Sequence, residues 1–381
     1  MKILVSAGEA SGDLYAALLV EEVRRLWPEA EFFGCTGPRL RAAGVRTVVD
    51  AASLAVVGLV EVISHIPRIR REFRKLLAAA RDERPDLAIL TDAPDFHLRV
   101  ARRLRRLRVP VVYLVAPQAW AWRKHRVRAM RRDLQRVFCI FPFEEEFFRR
   151  EGVAADYVGH PLAGLVLPSM GREEFFRKHA LPLSRPLITV MPGSRRGESA
   201  RHLPALLDAV GRLKQARNPI FLLPASVTTG AEFFRERIGA APIQVIEGEN
   251  WDAMAHADVV LAASGTVTIE AALVGTPMVT FYRVAPATWW LGRPLVSVPF
   301  YSMVNLVAGR RIVPELIQAE MTGERIAAEA LRLLDDPDAR SRMRADLAGT
   351  TRKLSLAGDP PMRRAAAAIH ELMEGQAAHV S

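Results

Sequence analysis

Cysteine is nearly absent from this chain. Two occur in 381 residues, Cys35 and Cys139, each inside an apolar segment. A disulfide framework and a cysteine-built metal site are thereby excluded, and a reducing cytoplasm fits. Long uncharged apolar runs are missing too, and none reaches the roughly 20 residues that a membrane span requires. The opening run MKILVSA turns at once into a Gly-rich loop and is too short for the apolar core of a secretory signal, so it reads as mature structure. The dinucleotide fingerprint GxGxxG is also lacking. Residues 8–13 read GEASGD, and their two carboxylates would repel a pyrophosphate, which disfavours NAD. Acidic charge is in short supply, with 42 Asp and Glu against 53 Lys and Arg and a formal net charge of +11. Such a balance attracts nucleic acid or anionic lipid.

Apolar residues are plentiful, 50% of the chain against 25% charged, the balance of a folded globular protein. A length of 381 residues exceeds what one core organises, so two domains are expected. Short strands are expected at 3–7, 32–34, 47–49, 87–90, 111–115, 137–140 and 155–158, with GEASGD as a loop and an amphipathic helix over 14–26 stopped by Pro28. After Pro186 the strand–helix rhythm restarts at 187–190, 221–223, 244–246, 259–262 and 278–282, then gives way to helices. The fold class is α/β, with two Rossmann-like domains facing a central cleft. The expected division is 1–165, 166–340 and a helical piece, 341–381, that folds back on an N-terminal domain or exchanges with a second chain in a homodimer.

In such folds the chemistry gathers in loops at strand C-termini. Residues 259–279, VVLAASGTVTIEAALVGTPMV, read as strand, turn, helix and strand. Ser264, Gly265 and Thr266 leave the first helical N–H groups uncovered, so an anion can sit against the positive end of the helix dipole. Glu270, about one turn further along the same face, offers a carboxylate to the two hydroxyls of a ribose. The alternative is an ordinary strand–helix unit in which Ser264 or Thr266 caps the helix and Glu270 is solvated. A second turn, Gly193-Ser194-Arg195, can hold a diphosphate by backbone N–H groups and a guanidinium. Together the two turns favour a nucleotide. In the first half, the loop with Glu9 and Ser11 suits sugar hydroxyls. Asp92, at the end of strand 87–90, can take a proton from an attacking hydroxyl, and its alternative is a plain turn residue.

The basic excess is concentrated in the first half, in runs such as Arg68, Arg70, Arg71, Arg74 and Lys75. Each cluster alone reads as a solvated face. Residues 54–66, LAVVGLVEVISHI, lead straight into the first of them, and an apolar element beside a basic helix is what a protein resting on a membrane surface requires. Burial of that segment as core is the competing reading.

Several segments, in order, carry a family resemblance: AGEASGD at 7–13, DAPDF at 92–96, APQAWAWR at 116–123, FPFE at 141–144, VGHPL at 158–162, MPGSR at 191–195, SGTVTIE at 264–270 and NLVAGRRIVPELIQ at 305–318. Together they resemble the lipid A disaccharide synthase family. The resemblance implies a GT-B inverting glycosyltransferase that joins UDP-2,3-diacylglucosamine to 2,3-diacylglucosamine 1-phosphate and releases UDP. It implies peripheral attachment at the cytoplasmic face of the inner membrane, no cofactor and no metal. Asp92 and Asp95, separated by Pro94, would in any case make a poor pair of metal ligands. It also implies catalytic roles for Asp92, Arg195, Glu9 and Ser11. UDP-sugar contacts would come from Gly193, Ser194, Arg195, Ser264, Gly265, Thr266 and Glu270, with Asn305, Arg310 and Gln318 of the late motif near the cleft.

Two positions depart from the family pattern. Gly164 stands where an Asp is frequent, and Val304 where a Pro is frequent before Asn305, so the resemblance does not extend to a sugar contact at 164. Trp120 and Trp122 read either as acyl-chain anchors or as packing, and His160 either as a leaving-group contact or as a core histidine. Two other functions compete: another GT-B enzyme, such as an epimerase or a polyprenyl-acceptor transferase, and a basic nucleic-acid-binding module. Against the latter, the Arg clusters lie beside an apolar segment rather than among stacking aromatics, and no recognition motif is present, so no nucleic acid is expected.

Overall fold

A computed structural model describes residues 1–54, 59–121, 125–226, 229–296 and 298–378. The chain forms two compact units, one of residues 1–161 with 354–381 and one of residues 162–353. Among the described residues no helix is long and apolar enough to cross a membrane. Residues 55–58 of the segment 54–66 lie outside the described residues, as does Trp122, and the rest of the segment after them opens the helix Leu59–Glu83.

The first unit is built on a parallel 7-stranded sheet: β1 (Lys2–Ser6), β2 (Glu31–Thr36), β3 (Arg46–Asp50), β4 (Leu87–Thr91), β5 (Val111–Leu114), β6 (Arg136–Cys139) and β7 (Ala155–Tyr157). Their order is β3-β2-β1-β4-β5-β6-β7. Strands such as LAILT and VVYL are buried at every position, which is why they read as unbroken apolar runs rather than alternating ones. Order reverses between β1 and β4, so the loops that leave these two neighbours diverge and open a crevice at their C-terminal ends.

The helix after β1 starts earlier than its composition suggests. It spans Ala10–Leu26, so most of GEASGD is its first turn and not a loop. Gly12 and Asp13 are used in tertiary contacts instead. A Cβ at position 12 would overlap the Asp92 carboxylate. Asp13 reaches forward to accept N–H bonds from Gly37 (2.7 Å), Arg39 (2.8 Å) and Leu40 (3.2 Å), capping the short helix Pro38–Ala42. The final helix, Pro361–Ala378, packs on Ala10–Leu26. Trp27 stacks on His370 at 5.0 Å, Arg363 pairs with Glu22, and His160 N–H donates to Leu354 O at 2.9 Å.

The second unit has a parallel 6-stranded sheet of β8 (Leu187–Met191), β9 (Ile220–Ala225), β10 (Ile243–Glu247), β11 (Val259–Ala263), β12 (Met278–Tyr282) and β13 (Glu315–Ile317), ordered β10-β9-β8-β11-β12-β13. Here order reverses between β8 and β11. The three-residue β13, too short to show a period, completes the edge where only helices were expected.

Candidate active site

In the first unit the crevice between β1 and β4 is organised around Asp92. Its carboxylate accepts N–H bonds from Gly8 (2.8 Å) and Glu9 (3.0 Å), the residues that leave β1. Burial pushes its pKa up to about 8, helped by the nearby Glu9 and Asp13 carboxylates and resisted by those two amide bonds. A carboxylate that ionises near neutrality suits proton abstraction. Asp92 and Ala93 both have left-handed backbone, φ 52° and 36°, where a side chain is costly and Ala has no local compensation. The Asp92 peptide oxygen accepts from His97 Nδ1 (3.0 Å) and from the Tyr113 hydroxyl. Glu9 is the N-cap of the helix Ala10–Leu26, and it lies exposed with Ser11 beside this crevice. The structure therefore brings Asp92, Glu9 and Ser11 together. Asp95 is exposed and pairs with Arg126.

Two uncertain residues of this unit are part of the core. His160 is 1% exposed, lies against Phe141 and Tyr15 with ring centroids at 5.3 and 6.3 Å, and burial pushes its pKa down to about 3. Trp120 packs edge-on against Phe143 and donates its indole N–H to Glu144 at 3.0 Å. Glu144 in turn accepts from Ile140 and Phe141 N–H, so the FPFE motif is the start of the helix Pro142–Arg150.

In the second unit β8 and β11 are paired through Ala262 and Met191, so the turns that follow them are neighbours by construction. The helix Thr266–Leu273 has no side-chain cap. Ser264 donates its hydroxyl to Tyr301 O instead (2.7 Å), which leaves the helix start open to an anion. Glu270 is half-buried and not a free surface carboxylate: it accepts from the Trp251 indole N–H at 3.0 Å, and burial raises its pKa. Both elements of the plain strand–helix alternative are thus replaced by tertiary bonds.

The turn after β8 differs from the expectation. Glu198, in the first turn of the helix Arg196–Arg217, reaches back so that its carboxylate accepts the N–H groups of Ser194 and Arg195. A Cβ at Gly193, whose φ is 128°, would stand 2.5 Å from that carboxylate. The amides assigned to a diphosphate are therefore engaged by an internal carboxylate of the capping-box kind. The exposed Arg195 side chain remains at this turn as the cationic group.

Three late-motif residues are not brought to these turns as contacts. Asn305 is 0% exposed. Its Nδ2 donates to Val313 O (3.0 Å) and Glu315 (2.8 Å), and its Oδ1 accepts from Ile312 N (2.7 Å) and Val313 N (3.0 Å). Glu315 also accepts from Tyr301 and Ser302 N–H, so Asn305 supports the loop that holds Ser264. Gln318 accepts Val284 N–H at 2.9 Å, and Arg310 pairs with Asp346. Gly164 stands in open space at φ 90°. Residues the sequence did not single out, Trp251, Glu198, Tyr301 and Glu315 here and His97 and Tyr113 in the first unit, do the positioning. Only Glu198, three residues after the N-cap Arg195, carried a readable signal.

The model of the lipid-A-disaccharide synthetase family matches residues 3–368. A lipid-A-disaccharide synthase of Solibacter usitatus is 68% identical over 380 residues, covering 100% of both chains. One of Geobacter sulfurreducens is 44% identical and covers 94% of each. Among solved structures, a UDP-GlcNAc 2-epimerase from Neisseria meningitidis bound to UDP-GlcNAc has a TM-score of 0.66 at 13% identity, covering 98% of this chain and 100% of its own. The glycotransferase of kitacinnamycin has a TM-score of 0.62 at 17% identity, covering 97% and 98%. The sequence matches, over nearly the whole chain, decide the matter: this protein belongs to the lipid-A-disaccharide synthase family, glycosyltransferases of the GT-B fold.

Proposed function

We propose that the chain joins UDP-2,3-diacylglucosamine to the 6-hydroxyl of 2,3-diacylglucosamine 1-phosphate, with inversion, to give the tetraacyl disaccharide 1-phosphate and UDP. The observation that carries the mechanism is the Asp92 carboxylate, set by two backbone amides at the β1/β4 crevice and raised in basicity by burial. Asp92 takes the hydroxyl proton as the acceptor oxygen attacks C1, and the bond from C1 to the UDP oxygen breaks. Glu9 and Ser11 hold acceptor hydroxyls. Charge developing on the diphosphate is met by Arg195 and by the uncapped start of the helix Thr266–Leu273, while Glu270, oriented by Trp251, binds the ribose. Supplying each acceptor class in turn and following UDP release tests this. Release with a polyprenyl-linked acceptor and none with the lipid monosaccharide would favour a different GT-B activity.

Donor binding gives a sharper check. Glu270→Ala should weaken UDP by about 1.5–3 kcal/mol through loss of a charged acceptor. Arg195→Ala should weaken UDP far more than uridine, since only UDP carries the diphosphate. Calorimetry showing equal losses for the two ligands would remove Arg195 from the diphosphate.

The acyl chains of these substrates reside in a bilayer, so the protein is proposed to work as a peripheral protein of the cytoplasmic membrane face. Support comes from the apolar segment 54–66 running into the basic residues 68–75. Changing Val57, Leu59, Val60 and Ile63 to Ser is expected to cut vesicle sedimentation with little change in melting temperature. Retained vesicle binding with a collapsed melting temperature would assign the segment to the core.

A further inference from the structure

Two consecutive non-glycine residues in left-handed backbone are unusual, and each costs about 1–2 kcal/mol. Such a turn persists only where surrounding contacts over-determine it. Here the contacts converge on one atom, the peptide oxygen of Asp92, which accepts from His97 Nδ1 and from the Tyr113 hydroxyl. Both side chains are 0% exposed. Burial lowers the pKa of His97 to about 4, so the imidazole is neutral. With Nδ1–H donating to a carbonyl, Nε2 of the neutral ring is the acceptor, and Ser6 supplies its hydroxyl proton at 2.7 Å, which fixes one tautomer.

We propose that Tyr113 and His97 are positioning residues for the transfer reaction: by gripping the Asp92 peptide oxygen they hold the left-handed turn and so seat the carboxylate on the Gly8 and Glu9 amides. The inference rests on the reading of Asp92 as the base. Charged or titratable groups facing this assembly are Glu9 and Asp13 from the first helix, Cys35 from β2, Asp95 from the helix Pro94–Arg106, and Arg126. None of them bonds the peptide oxygen.

The test is steady-state kinetics over a pH range on Tyr113→Phe, His97→Asn and His97→Gln, each checked by thermal melt, with Tyr113→Phe also placed in the Asp92→Asn background. Tyr113→Phe should lower kcat about three- to tenfold, the worth of one hydrogen bond, with both KM values little changed. The acid limb of its kcat/KM profile should move to higher pH, because the amide bonds that hold the Asp92 pKa down are loosened while burial stays. His97→Asn places an amide donor where Nδ1 stood and should keep more activity than His97→Gln, whose longer chain places it nearer Nε2. In the Asp92→Asn background Tyr113→Phe should cost nothing further. An unchanged kcat and acid limb in a folded Tyr113→Phe protein, with Asp92→Asn inactive, overturns the positioning role and leaves the base in place. Equal losses in both backgrounds overturn it as well, since Tyr113 would then act without Asp92. A near-normal Asp92→Asn protein removes the base itself and the inference with it. Should the His97 variants fail to fold, Tyr113→Phe decides alone.

Discussion

An Asp92→Asn protein should turn over about a hundredfold more slowly than the parent, or worse, with UDP-sugar affinity little changed. The amide keeps the size of the carboxylate and has no basicity at any accessible pH. With the pKa of Asp92 raised to about 8, the parent's kcat/KM should fall as pH is lowered through that value, since the base is then protonated. The same shift has a stability consequence of defined sign. A carboxyl whose folded pKa lies above its unfolded value of 3.8 favours folding while protonated, and that contribution is lost as pH rises through about 8. The ionised base is therefore held at some cost to the fold. Turnover close to the parent's in a folded Asp92→Asn protein ends the assignment.

Asn305→Ala should unfold the second unit more readily, with a loss of about 3 kcal/mol or more in urea titration. Two backbone N–H groups, a carbonyl and the Glu315 carboxylate lose partners at a site with no access to water. Leaving buried groups unpaired in the folded protein is dearer than losing an average hydrogen bond. UDP affinity measured on the folded fraction should stay near the parent's. Unchanged stability with lost UDP binding would return Asn305 to the role of ligand contact.

How much of this was legible in the sequence differs by element. Strands such as LAILT and VVLAA stood out because parallel strands covered on both faces are apolar throughout. The GEASGD segment was misread because Gly, Ser and Asp are loop residues by local preference, whereas here Gly12 lets a helix rest on Asp92 and Asp13 caps a different helix. The two turns after β8 and β11 were recognisable from composition, and strand pairing places them side by side. Occupation of the first turn's amides by Glu198 was not anticipated, although the three-residue spacing of a capping box was there to be seen. Tyr113 sits in VVYL, where it looks like any core aromatic, and no local pattern indicates that its hydroxyl meets an oxygen 21 residues earlier in the chain. Asn305 was singled out by family likeness, and its hydrogen bonds are spent within its own loop.

The return of the final helix to the first unit also sets a timetable. During synthesis the 161 residues of that unit's first segment emerge first, but the helix Ala10–Leu26 waits for Pro361–Ala378, whose Met362, Ala365, Ala366 and Ile369 are buried in the finished protein. The second unit, 162–353, has all its strands and helices before that last helix is made. Domains usually complete in the order of translation. In this chain the half begun first is finished last, and a ribosome that stops before residue 361 releases a whole second unit and a first one with an open seam.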